Sequence, residues 1–312
     1  MNPEAAPFQE ASGSGAPRAS GLTDNDWATL IERVRSGACT PFIGAGAAAG
    51  TLPLGSEIAE RWACEFNYPL EDRHDLARVA QFIGVHRGDA VVPKDRIRRE
   101  LQGIAPPDFS RADEPHSLLA ALPLPLYITT NYDDFMTQAL RARHREPKRD
   151  FCRWNSSPAL REEPRVLKPG FQPTPSTPVV YHLHGLLDVA DSLVLSEDDY
   201  LDFLVTVSRD EKLLPNQVKR ALAGTSLLFV GYKLADWDFR VIHRGLVMAG
   251  EPSLRRLSVT VQLPPAEVNG AGARDYLNKY FGTMNVRVHW GTASEFLLEL
   301  HGRLRESDGG GA

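Results

Sequence analysis

Thr40-Pro41-Phe42-Ile43-Gly44-Ala45-Gly46-Ala47 is the stretch whose reading decides the fold. Four residues of buried-strand character run directly into a glycine-rich turn, and a helix is expected from about Ser56 through Ile58, Ala59 and Trp62. A strand that breaks into small residues and re-emerges as a helix is the opening unit of a parallel α/β sheet. Residues 44–49 satisfy the pattern G-x-G-x-x-[GA]. Glycines there let backbone amides approach phosphate oxygens. A tight strand-to-helix turn with no ligand accounts for the same residues.

Other apolar runs end in a similar way. Leu126-Tyr127-Ile128-Thr129-Thr130 is strand by composition and passes into Asn131-Tyr132-Asp133-Asp134, with a helix expected over 135–143. Leu227-Leu228-Phe229-Val230 is wholly apolar, as a central parallel strand is, and ends at Gly231-Tyr232-Lys233 with Asp236 close behind. Val179 to His184 forms another strand candidate stopping at Gly185, and 258–263 and 286–290 add two more. Helices are signalled between them. Thr23 can cap a helix that places Trp27, Leu30, Ile31 and Val34 on one face. Pro115 suits the first turn of a helix over 116–122, and Ser196 with Asp199 reads as a capping box for a helix through Phe203. An amphipathic helix over 293–305 closes the pattern.

The fold class that follows is α/β: a Rossmann-like parallel sheet flanked by helices. Residues 70–105 read as an inserted helical lobe. Seven prolines between 147 and 178 exclude a long helix there, so this is an irregular excursion with room for one short strand. Residues 1–20 and 307–312 read as disordered tails around a single domain over 21–306.

With 42% hydrophobic and 24% charged residues, the 312-residue chain has the composition of a soluble globular protein. A net charge of −5 gives no general attraction to nucleic acid or an anionic membrane. No run approaches the roughly 18 apolar residues of a membrane helix, and no signal peptide is evident. Cys39, Cys64 and Cys152 are too dispersed for a disulfide framework or a four-cysteine zinc site. A cytoplasmic setting is the expectation.

Ligands of such sheets sit beyond the carboxyl ends of the strands, so the turns at 44–47, 131–134 and 231–236 should converge on one crevice. Asn131 offers an amide donor and acceptor there, although Asn131 and Asp133 equally suit helix capping. His182 and His184, two apart, should share one strand face. No third ligand accompanies them, so no metal is expected. His184, nearest the strand end, is the better candidate for acid–base work, and His182 reads as structural. Asp236 suits a ribose hydroxyl or a plain sheet-end turn.

Taken in order, Gly-Ala-Gly, Thr-Thr-Asn-Tyr-Asp, Leu-His-Gly and Phe-Val-Gly-Tyr-x-x-x-Asp resemble the sirtuin-like (silent information regulator) family over about residues 37–245, and most closely its prokaryotic antiviral-defence branch. The resemblance implies that Gly44, Ala45, Gly46 and Ala47 cradle the phosphates of NAD. It implies that Asn131, with Thr130 and Asp133 nearby, lies beside the nicotinamide ribose and that His184 is the catalytic histidine. Gly231, Tyr232 and Asp236 would lie toward the adenosine. Protein-deacylating sirtuins carry a zinc module with two Cys-x-x-Cys pairs, which this sequence lacks. The activity implied is therefore hydrolysis of NAD to nicotinamide and ADP-ribose, in an abortive-infection effector. The alternatives are a non-catalytic NAD or ADP-ribose sensor, or a deacylase or ADP-ribosyltransferase. Such an effector must stay silent until triggered, so a homo-oligomer or a separately encoded regulatory partner is expected.

Overall fold

In a computed structural model of the chain, residues 21–210, 212–232, 256–264 and 270–309 are described. Their strands are β1 (Cys39–Ile43), β2 (Leu126–Thr129), β3 (Lys148–Phe151), β4 (Val179–His182), β5 (Ser226–Val230), β6 (Ser258–Gln262) and β7 (Val286–Trp290). They form one sheet in the order β3-β4-β2-β1-β5-β6-β7, with every pairing parallel. This is the Rossmann-like α/β class read from the sequence.

Parallel strands with helices on both faces bury both sets of alternating side chains, which is why their sequences are almost wholly apolar. β5 shows the pattern. Leu227 and Phe229 join Phe42 and Tyr181 on one face, while Leu228 and Val230 join Ile43, Tyr127 and Val180 on the other. The first face is covered by α8 (Glu197–Arg209), α9 (Asn216–Gly224) and α10 (Gly270–Gly282), which supply Phe203, Val218, Leu222 and Phe281. The second is covered by α1 (Asp24–Arg35), α5 (Pro115–Ala120), α6 (Phe135–Ala142) and α11 (Ala293–Gly309). Each fully buried Leu, Val or Phe contributes roughly 1.5–3 kcal/mol, so these two layers carry most of the stability. Trp27 and Trp290 belong to them.

α1 begins as the sequence predicts: Thr23 Oγ1 accepts from the Asp26 amide at 3.2 Å, and Asp26 Oδ2 accepts from the Thr23 amide at 2.9 Å. The predicted lobe is present as α3 (Leu76–Arg87) and α4 (Val91–Leu101), and it also takes in α2 (Gly55–Glu65). Its small core packs Ile58, Trp62, Val79, Ile83 and Ile97 against Leu193 and Leu195, just ahead of α8. The Pro-rich excursion holds β3 and a short helix, α7 (Pro158–Glu162), begun by a proline at its first turn. The last helix runs through Gly309, beyond the point where the sequence predicts a tail. Residues 1–20 and 310–312 lie outside the described residues.

β1 is the pivot of the sheet. From it the chain builds β2, β4 and β3 on one side, then returns to add β5, β6 and β7 on the other. The two directions part at the carboxyl ends of β1 and β5, the place where sheets of this kind take their ligands. That is where the glycine turns lie.

The lobe is tied to α8 by a nearly buried ion pair. Lys94 Nζ lies 2.7 Å from Asp199 Oδ1, with both side chains about nine-tenths covered. Asp199 Oδ2 also accepts from the Leu195 and Ser196 amides at the start of α8. Removing one partner of such a pair strands the other charge. Asp199→Ala is therefore expected to cost about 3–5 kcal/mol, because it loses the cap and orphans Lys94. Lys94→Met should cost less, since the carboxylate keeps two amides at a helix N-terminus. Urea unfolding of the two variants measures the difference; equal costs would contradict the assignment.

Candidate active site

The turn after β1 and the turn after β5 touch. Gly44 N donates to Val230 O and Gly46 N to Gly231 O, both at 2.9 Å. A Cβ on Gly44 would lie 2.8 Å from Gly231 O, and one on Gly46 would lie 2.9 Å from the same oxygen. Gly231 has φ of +81°, and a Cβ there would sit 2.4 Å from Ala47 N. The first reason for these glycines is thus the approach of two backbones, and two of the amides expected to face phosphate already donate to the β5 side. Ala45 and Gly46 are the exposed part of the loop, whereas Ala47 is buried.

Asn131 is anchored to that loop from the other side of β1. Its Nδ2 donates to Gly44 O at 3.2 Å, and its amide donates to Thr129 Oγ1 at 3.0 Å. Thr129 Oγ1 in turn donates to Ile43 O at 3.0 Å. The Thr130 amide also donates to Ile43 O, while Thr130 Oγ1 lies 2.6 Å from the Tyr232 hydroxyl. Tyr232 is buried, and its ring packs edge-on to Phe42. Gly44, Gly46, Thr130, Asn131, Gly231 and Tyr232 are therefore brought together. Asp236, with Lys233, Trp237 and Phe239, lies outside the described residues.

β2 and β4 are neighbours, with Thr129 paired to His182. Asn131 and His184 each stand two residues past that pair, so both lie just beyond the same end of neighbouring strands. The strand predicted over 179–184 stops at His182, and beyond it the alternation of a pleat no longer sets direction. The two histidines consequently do not share partners. His182 places Nδ1 3.0 Å from Asn131 O, whereas His184 packs edge-on between Tyr200 and Phe203 of α8. Gly185, at φ of +94°, has Ser192 O only 2.2 Å from where a Cβ would be, and this turn folds α8's approach back over His184. The imidazole of His184 is 3% exposed, and its Nε2 meets no hydrogen-bond partner among the described residues.

Burial alone pushes His184 down to about 3. His182 is pushed down to about 4, again by burial, with the Asn131 carbonyl opposing the shift. Both imidazoles are neutral at physiological pH. Asp133, two residues after Asn131, is half-buried; burial raises its carboxyl, and the neighbouring His116 opposes that. Its Oδ1 accepts from the Phe135 amide at 3.0 Å, so Asp133 satisfies the first amide of α6 from one residue before the N-cap, which is Asp134. His116 is itself held by a buried carboxylate, with Nδ1 2.8 Å from Glu114 Oε1. Burial acts to raise Glu114, but its bonds to His116 and the Ser117 amide bring it below the usual range.

Several contributors escape a reading of the sequence. Tyr132 sends its hydroxyl to Val194 O at 2.6 Å, closing the strand end against the α8 approach. Tyr200, Phe203, Glu114 and His116 come from helices whose apolar faces explain them as core. Only the spacing of Tyr200 and Phe203 on one helical side hints at a shared contact.

A family model described as a SIR2-like domain matches residues 125–289, just over half the chain. This protein belongs to the SIR2-like family. The NAD(+) hydrolase ThsA of Cytobacillus dafuensis is 29% identical over 216 residues, covering 67% of this chain and 38% of that protein. The ThsA of Enterococcus faecium is 25% identical over 206 residues, covering 66% and 39%. The SIR2-like chain thus spans about two fifths of the length of these curated relatives. A solved structure described under the mechanism and regulation of Sir2 enzymes aligns with a TM-score of 0.41 at 12% identity, over 92% of this chain and all of that one. Among the described residues of the SIR2-like chain no group of three His, Cys, Asp or Glu side chains is placed to hold a metal ion, and no helix is long and apolar enough to cross a membrane.

Two outcomes follow. Gly231→Ala should cost more than about 3 kcal/mol, because strain at positive φ adds to a backbone clash. Gly170→Ala, also at positive φ but with nothing within 4 Å, should cost only about 1 kcal/mol. Chemical denaturation distinguishes them. The second outcome concerns pH. The buried histidines have folded values below the ordinary 6.5, so only the unfolded chain takes up their protons as pH falls from about 6.5 toward 4. Stability from this source is present above 6.5 and lost below it. Each histidine contributes a slope of about 1.4 kcal/mol per pH unit in that window. His184→Asn should flatten the measured slope by that amount, and an unchanged slope would show His184 to be accessible to protons.

Proposed function

We propose that this protein is an NAD glycohydrolase that cleaves NAD to nicotinamide and ADP-ribose, with Asn131 and His184 at the centre of the reaction. The observation that carries the reading is the register of β2 on β4. It puts Asn131 and His184 just beyond the same end of neighbouring strands, while Asn131 Nδ2 ties that end to the glycine turn. The NAD(+) hydrolase name of the relatives supports the choice of substrate and reaction. An intracellular, cytoplasmic place of action suits a substrate of that kind.

In this reading the pyrophosphate lies along the exposed backbone of Ala45 and Gly46, with Gly44 and Ala47 shaping the turn. Gly231 and Tyr232 lie toward the adenosine, Thr130 and Asp133 border the nicotinamide ribose, and Asp236 is the residue whose chemistry suits a ribose hydroxyl. As the C1′–N bond breaks, its electron pair moves onto the pyridinium nitrogen and nicotinamide leaves neutral. The sugar acquires oxocarbenium character. A water oxygen bonds to C1′, and its proton is released, giving ADP-ribose. Asn131 positions the ribose and the water. His184, neutral, accepts a hydrogen bond from a ribose hydroxyl at Nε2 in the tautomer that carries its proton on Nδ1, and thereby draws charge toward the sugar. For the ribose to reach that nitrogen, Tyr200 and Phe203 must move aside. That requirement fits an enzyme kept silent until oligomerisation or a separately encoded partner shifts α8, as an NAD-depleting antiviral effector would need.

Purified full-length chain, alone and with candidate partners, is incubated with NAD and the products are separated by chromatography. Nicotinamide and ADP-ribose are expected in equal amounts. Asn131→Ala and His184→Ala should each lower turnover by at least about a hundredfold without loss of fold. Turnover that survives both substitutions would remove the site assignment, and tight binding without product would make the protein a sensor.

A further inference from the structure

His182 is the second buried histidine of the strand end, and the reaction outlined above leaves it without a task. Its ring is fully covered, at 0% exposure. Nδ1 lies 3.0 Å from the main-chain oxygen of Asn131, and that oxygen can only accept. The hydrogen of the neutral ring therefore sits on Nδ1. Nε2 is left as a bare acceptor, buried and without a partner among the described residues.

Asn131 is thus held at three points by three different parts of the sheet. Thr129 on β2 receives its amide, Gly44 after β1 receives its side chain, and His182 at the end of β4 donates to its carbonyl. The first two bonds do not touch the Asn131 carbonyl. Tyr132 holds the far side of that peptide, its carbonyl accepting from the Leu187 amide and its hydroxyl donating to Val194 O, while the bond from His182 holds the Asn131 oxygen itself and so steadies the backbone from which the Asn131 side chain departs. The charged groups around the ring are Arg149 on β3, Asp134 at the start of α6 and Asp188 in the loop after β4; Arg149 bridges the two carboxylates at 3.8 and 3.2 Å. Among the described residues none of the three makes a hydrogen bond to the ring in place of the one to Asn131.

We infer that His182 is a positioning residue for Asn131, using its Nδ1–H to hold the Asn131 carbonyl and so aim the side chain that meets the ribose. The inference rests on the functional reading of Asn131 given above. A buried imidazole leaving Nε2 unsatisfied incurs a desolvation cost that an apolar residue at the same place would avoid. The donor at Nδ1 is what the imidazole supplies in return.

Asn and Gln at position 182 separate this role from simple space-filling. Both are neutral amides, but Asn places its NH2 near the site of Nδ1 and Gln carries it further out. In full-length protein, under the conditions that support nicotinamide release, His182→Asn should retain kcat within about threefold of the parent. His182→Gln should lose about tenfold to a hundredfold in kcat with KM for NAD little changed, as expected for a misaimed group rather than a lost binding contact. Thermal unfolding is followed in parallel. Equal kcat values for the two variants would overturn the proposal, and so would loss of activity or fold in His182→Asn, since a donor in place should suffice. A parent chain that releases no nicotinamide, or an Asn131→Ala variant that still does, would instead overturn the reading on which the proposal rests.

Discussion

The approach of the turn after β1 to the turn after β5 is the constraint from which the site is built. Gly231 O accepts from Gly46 N, and Gly44 O accepts from Asn131 Nδ2, so one glycine turn links the two sides of the sheet's pivot. A side chain on any of the three glycines would meet backbone closer than atoms pack. Because β1 lies between β2 and β5, this contact also fixes how far apart those strands' ends can stand. Asn131 on one side and Tyr232 on the other inherit their positions from it. Thr130 and Tyr232 then meet across the end of β1 at 2.6 Å.

The same backbone economy explains what a reading of residues can and cannot see. Strands β1, β2, β5, β6 and β7 were legible because both faces of each are buried, and their sequences say so within a residue of the observed bounds. β3 was not, because Lys-Arg-Asp-Phe sits at the sheet edge among prolines, where one side of the ladder needs no partner. The lobe was legible as helical but not in extent. α2 joins it through Trp62, whose indole reaches Glu100 at 2.6 Å, a pairing across 38 residues that no local pattern carries.

For the candidate site, the order of motifs located the corner but not its internal geometry. Asn131, His184 and the glycine turns do stand at one end of the sheet. The alternation argument for His182 and His184 failed two residues too soon, because β4 ends at His182 and the chain then turns at Gly185. The glycine pattern was read through phosphate binding, yet its immediate cause is the contact of two turns. Both readings lean on the same property, a backbone stripped of Cβ, so the sequence could not tell them apart. Asp133 illustrates a third kind of ambiguity: its carboxylate holds the first amide of α6, a local bond that an acidic residue at this place would make with or without a ligand.

His184 brings these strands of argument together. Its burial is not produced by the sheet but by α8, which lays Tyr200 and Phe203 against the ring. α8 is itself held at its N-terminal turn by the lobe, through Lys94 on Asp199 and Gln81 on Asp198, and by Leu193 and Leu195 in the lobe's core. The covering of the imidazole is therefore continuous with a lobe whose Lys94 lies 105 residues upstream of Asp199 in the chain, though adjacent to it in space. Displacing α8 far enough to admit a sugar means loosening the aromatic contacts and the anchor at its N-terminus. The aromatic contacts are apolar and nondirectional, so they slide at modest cost, whereas the anchor is a desolvated ion pair with fixed geometry. Tyr200 directly follows Asp199 and Phe203 lies one turn on, so the aromatic contacts sit at the anchored end, and uncovering the imidazole requires the lobe's hold on α8 to loosen with them.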